Sequence, residues 1–102
     1  MNKLKITVIK KVIHQDLIDK FENKIDNPCN MNLFDAWIIE DINEKPNNFC
    51  LSAWMSLYPF LLTLSSNGSD IYNSWMMKDK HSCIVSCNDG CGPVSFLIEV
   101  VK

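Results

Sequence analysis

Five cysteines, Cys29, Cys50, Cys83, Cys87 and Cys91, are the residues of this 102-residue chain best suited to chemistry. Thiolates ligate soft or borderline metals such as zinc and iron, and they serve as nucleophiles and redox centres. An odd number of cysteines, with a cytosolic setting that keeps thiols reduced, argues against a disulfide framework. The spacing carries some information. Cys83 and Cys87 are four apart on an expected strand and share a face, with Val85 between them. Cys87 and Cys91 bracket Asn88-Asp89-Gly90 and could meet across that turn. Cys50 opens the main expected helix, where backbone N–H groups and the helix dipole favour a thiolate, so it is the expected lowest-pKa thiol. Cys29 follows Pro28 in a loop. A tetrahedral zinc or iron site would draw on Cys29, Cys50, Cys87 and one of Cys83 or Cys91. No C-x-x-C occurs, which removes zinc-ribbon and thioredoxin-type motifs. The competing reading is that each cysteine is a small buried hydrophobe.

Other chemistry has little support. His14 lies at a strand–helix junction and His81 just before a strand; His81, two residues from Cys83, is the better functional candidate of the two. G-x-S-x-G, P-loop and G-x-G-x-x-G motifs are absent, so hydrolase, nucleotide-phosphate and Rossmann readings have no basis. Asp89 reads as a turn residue. Trp37, Trp54, Tyr58, Tyr72 and Trp75 could line a small-molecule pocket, but Trp54 and Tyr58 stand at the i, i+4 spacing of a core face.

The elements that must position these residues follow from periodicity. Lys3 to Val12 alternates, with Leu4, Ile6 and Val8 on one face and Lys5, Thr7 and Lys11 on the other; Ile9 breaks the pattern. Ile13, Leu17, Ile18, Phe21 and Ile25 then recur at helical spacing, predicting an amphipathic helix that stops before Asn27-Pro28. Leu33 to Ile42 predicts a strand, apolar on both faces at Trp37, Ile38 and Ile39, hence central or with one face under a helix. Cys50 to Leu64 predicts the main helix, which either kinks at Pro59 or divides there, with Asn67-Gly68 as its stop. Ser69 to His81 reads as irregular, and its Tyr72 to Met77 segment as a lid, an interface or a core plug. Ser82 to Cys87 and Val94 to Val101 predict an antiparallel hairpin about Asn88-Asp89-Gly90. The expected architecture is a single α+β domain over 1–102, in the order β-α-β-α-β-β. Its mainly antiparallel sheet packs against one long apolar helix.

Composition bounds the partners. The chain is 47% hydrophobic, carries a formal charge of −2, and draws all ten of its basic residues from lysine. Without arginine or a basic excess, nucleic-acid binding is not expected. Lysines interrupt Met1 to Ile13, so no signal peptide is expected there. The apolar part of the uncharged stretch from Pro46 to Ser69 is short for a membrane span and carries Ser52, Ser56 and Pro59 internally. The expected location is the cytoplasm, without membrane association.

Longer patterns carry a resemblance. They are Asn27-Pro28-Cys29, then Phe49-Cys50-Leu51-Ser52-Ala53-Trp54, then Tyr58-Pro59-Phe60, and finally Cys87-Asn88-Asp89-Gly90 leading into Pro93-Val94-Ser95-Phe96. Together they resemble a family of short prokaryotic proteins, many from anaerobes, defined by a numbered sequence model and without an assigned activity. The resemblance spans nearly the whole chain. It implies matching cysteines at Cys29, Cys50 and Cys87, with Cys83 and Cys91 additional here. The family carries an arginine just before the Pro-Val pair, where this chain has Gly92. The expected function is thus a cysteine-based metal-binding or thiol-redox module. The alternative is a noncatalytic ligand-binding or homodimeric interaction module with structural cysteines, and no acid–base pair supports a non-thiol enzyme.

Overall fold

The computed structural model describes residues 1–23, 29–69, 71 and 76–101. Its elements run β1 (Leu4–Lys11), α1 (Gln15–Phe21), β2 (Ala36–Ile39), α2 (Leu51–Ser65), β3 (Ser82–Ser86) and β4 (Val94–Val100). The four strands form one antiparallel sheet in the order β2-β1-β4-β3. The expected α+β class and element order are therefore present. Alternation on β1 and β4 sends Leu4, Ile6, Val8, Val94, Phe96 and Ile98 to one face, where all six are buried. On that face lies α2, which packs on β1, β3 and β4 through Ala53, Leu57, Leu61 and Leu64.

Phe49 joins the layers. Its buried ring stands edge-on to Trp37 of β2 (centroids 4.7 Å) and to Trp54 of α2 (5.4 Å), and lies 5.5 Å from Phe96 of β4. Because Cys50 is the N-cap of α2, Phe49 and Trp54 form a hydrophobic staple that sets the angle of entry into the helix. Two polar bonds tie the preceding loop down: Trp37 Nε1 donates to Asn48 Oδ1 (3.0 Å), and Tyr58 OH donates to Asn43 Oδ1 (3.0 Å).

α2 runs unbroken through Pro59, which resolves the kink-or-divide alternative in favour of one helix. It ends in a Schellman motif. Asn67 takes the left-handed conformation (φ 65°), and the Gly68 N–H reaches back to the Thr63 carbonyl (2.8 Å). Glycine is required at 68 for space: a Cβ there would sit 2.6 Å from Thr63 Cγ2 and 2.7 Å from its carbonyl oxygen.

Three expectations are corrected. Ile9 breaks the alternation because it sits at a β-bulge: β1 and β4 change register between Val8 and Lys10. Past the bulge Lys11 pairs with Val94, so it turns to the core side, and its ammonium donates to the Met31 carbonyl. β2 is shorter than expected and is an edge strand, since Asn32 to Asp35 folds as a turn with Phe34 at φ 69°. Only its helix-side residues are covered: Ile39 is buried and Trp37 half-buried, whereas Ile38 is exposed on the open face. The predicted amphipathic helix forms as α1 but buries none of its residues, and Ile13, Leu17 and Phe21 face outward. Among the described residues no other element packs against it. Ile25, Tyr72 and Trp75 lie outside the described residues.

Two stability measurements check this frame. Phe49→Ala is expected to cost about 3–5 kcal/mol in urea unfolding, the range for deleting a buried aromatic ring. Pro59→Ala is expected to stabilise by roughly 2 kcal/mol, because restoring a helix-interior N–H outweighs the lost stiffness of the unfolded chain.

Candidate functional site at the turn end of the sheet

Beyond Lys11 the backbone of β1 stays zipped to the start of β4. The Val12 N–H donates to the Pro93 carbonyl (3.0 Å), and the His14 N–H donates to the Cys91 carbonyl (2.8 Å). This pairing holds α1, and Glu22 just after it, beside the β3–β4 turn. Asp89 organises that turn: its Oδ1 accepts the N–H groups of Cys91 (2.9 Å) and Gly92 (3.2 Å). Aspartate therefore performs the expected turn role, and its Oδ2 points back toward Gly92.

Glu22, Asp89 and Cys91 each place one potential ligand atom within 4.8 Å of the others. Cys91 is half-buried, and its thiol pKa is raised above the ordinary 9.0. Desolvation leads, followed by the negative charge of Glu22, which also accepts a hydrogen bond from the thiol; Asp89 and Asp16 add in the same direction. Desolvation and the neighbouring carboxylates together favour the protonated form of this sulfur. A bound cation would reverse that electrostatic preference.

Behind the cluster lies a cavity of about 340 Å³ with largely apolar walls from Val12, Ile13 and Ile18. Cys29 and Gly92 reach its lining, as do Lys11, Glu22 and Asp89. Cys29 is exposed, and its Sγ accepts the Met31 N–H (3.4 Å). Met31 is buried in the core and receives the Lys11 bond on its carbonyl, so this loop is fixed at both its backbone groups.

Cys29 and Cys91 lie at the turn-end cavity and cluster, and the other three cysteines pack in or against the core. Cys83 is fully buried on β3, and burial pushes its thiol up to about 11. Cys87 follows β3, half-buried at the core margin; its Sγ accepts the Val94 N–H (3.3 Å). Cys50 caps α2 without a side-chain cap bond and packs at the edge of the core. The grouping of candidate ligand atoms joins Cys91 to two carboxylates and does not gather three sulfurs among the described residues. The apolar periodicity that marks α1 passes over Glu22, and Asp89 reads from sequence as a turn residue. The long-range pairing of His14 with Cys91 that brings them together leaves no spacing signature. No family model, no curated protein and no solved structure matches the chain.

Thiol labelling checks these placements. Exposed Cys29 is expected to react first with a soluble alkylating agent, and Cys83 only on unfolding. The raised Cys83 pKa favours the folded, protonated thiol, so its contribution to stability is complete below pH 9 and lost as pH rises toward 11. The loss amounts to about 2–3 kcal/mol. Unfolding free energies measured from pH 8 to 11 should fall more steeply in the wild type than in Cys83→Ala.

Proposed function

We propose that this protein is a cytoplasmic cysteine-containing metal-binding module, with Cys91, Glu22 and Asp89 as its ligands and zinc or ferrous iron as its ion. The single observation that supports it is the convergence of one thiol and two carboxylates at the end of the sheet. One sulfur and two oxygens suit a borderline cation, and a tetrahedral site with bonds of about 2.0–2.3 Å leaves a fourth position open. The donors need to close by roughly 1 Å to reach that geometry. Binding would displace the Cys91 proton and stabilise both carboxylates at once. This reading narrows the sulfur contribution expected from sequence to Cys91. It treats Cys50, Cys83 and Cys87 as packing residues and Cys29 as a neighbour across the cavity.

Cobalt(II) titration of metal-free, fully reduced protein tests the proposal. A thiolate-to-cobalt charge-transfer band should appear at one equivalent and release about one proton. Cys91→Ala should abolish the band, and Glu22→Gln should weaken binding about tenfold or more. Cys50→Ser and Cys87→Ser should leave it intact. A band that survives Cys91→Ala, or protein that binds no cobalt at micromolar concentration, overturns the reading.

The outward face of α1 favours a second reading, a homodimeric interaction module. Leu17 and Phe21 stand at i, i+4 on the helix, with Phe21 71% exposed. Native mass spectrometry should then show a dimer that Phe21→Asp splits, and a monomeric wild type rejects this reading.

A further inference from the structure

We infer that the cavity between α1 and the β3–β4 turn binds a small organic ammonium: a primary amine carrying a compact apolar group. The argument combines shape with charge. At about 340 Å³ the cavity lies within the range of small-molecule sites. Val12, Ile13 and Ile18 give it walls that reward an apolar body. Two of its lining residues, Glu22 and Asp89, are anionic, and among the described residues no lysine lies within ion-pair distance of either. The cavity's own lysine, Lys11, is directed to the Met31 carbonyl. Glu22 and Asp89 are exposed at the cavity mouth, and an alkyl- or arylammonium would pair with them while its apolar body fills the walls. A carboxylate-bearing ligand of the same size would meet like charge. A neutral one would gain the walls without the charge pairing.

This inference does not rest on the metal reading, because the ammonium needs the carboxylates and the walls but not the Cys91 sulfur. The two occupants share Glu22 and Asp89, so a metal and the amine should exclude each other.

The test uses the full chain after treatment with chelator, titrated with 2-phenylethylamine and followed by amide chemical shifts. The uncharged 2-phenylethanol and the anionic 3-phenylpropionate serve as matched probes. The amine should move the signals of Ile13, Ile18 and Gly92, and the alcohol should bind about tenfold more weakly. The propionate should not bind. Glu22→Gln should weaken the amine about tenfold. Gly92→Lys should weaken it similarly by placing a built-in ammonium beside Asp89, with unchanged β-sheet signals showing that the variant folds. Cys91→Ser should retain the amine, although it would lose the metal. Equal binding of amine and alcohol, or no shifts at millimolar amine, overturns the inference.

Discussion

The packing of the Phe49 ring is the contact on which the two layers depend. Residues 40–50 contain no regular structure, yet they must deliver α2 onto the sheet at a fixed angle. The ring does this by meeting an aromatic side chain from β2, from α2 and from β4. Edge-on and tilted contacts of this kind add to the burial of the ring itself. The helix needs such an anchor because it has no charged residue to complement its dipole and no side-chain cap at its N-terminus. Its stability is therefore tertiary in origin, drawn from Leu57, Leu61 and Leu64 against the sheet.

Regularity made much of this fold readable. The period-two pattern of Leu4, Ile6 and Val8, and the run Val94, Phe96 and Ile98, identify strands and their buried face; that the two are central and paired comes from the structure. The stripe from Ala53 to Leu64 identifies the covering helix in the same way, and Asn67-Gly68 marks its end. Errors arose where a local pattern had no tertiary partner or had an extra residue. Ile13, Leu17 and Phe21 have a core-like spacing, but spacing does not reveal whether anything lies opposite. Trp37, Ile38 and Ile39 are apolar on both faces, and of the two positions this allowed, central or with one face under a helix, the structure shows the second, on an edge strand. The interruption at Ile9 was visible, whereas its effect, the reversal of Lys11, requires knowing that a bulge shifts every later side chain by one face.

The candidate site was far less legible, for a related reason. Cysteine spacing directs attention to sulfur–sulfur pairings, because those are the patterns that recur in linear motifs. Here the group assembles from two separate places: the residue just after α1, and a turn that supplies both Asp89 and the sulfur two positions further on. Its composition gives it a definite electrostatic character. Desolvation, and after it Glu22 and Asp89, raise the pKa of the Cys91 thiol. The same charges make the end of the sheet attractive to cations, inorganic or organic. Cys83 shows the opposite use of the residue: held in the apolar core, it behaves as a hydrophobe, and its chemistry is suppressed by burial alone.

The strand order bears on how the chain is made. β4, the last strand in sequence, lies between β1 and β3, and its pairing joins Leu4 to Val100. A nascent chain emerging from the ribosome can form α2 early, but the sheet that covers it cannot close until β4 has left the exit tunnel. Until β4 pairs with β1 and β3, the uncharged, apolar surface of α2 lacks the central strand that covers it, so closure of the core waits on β4.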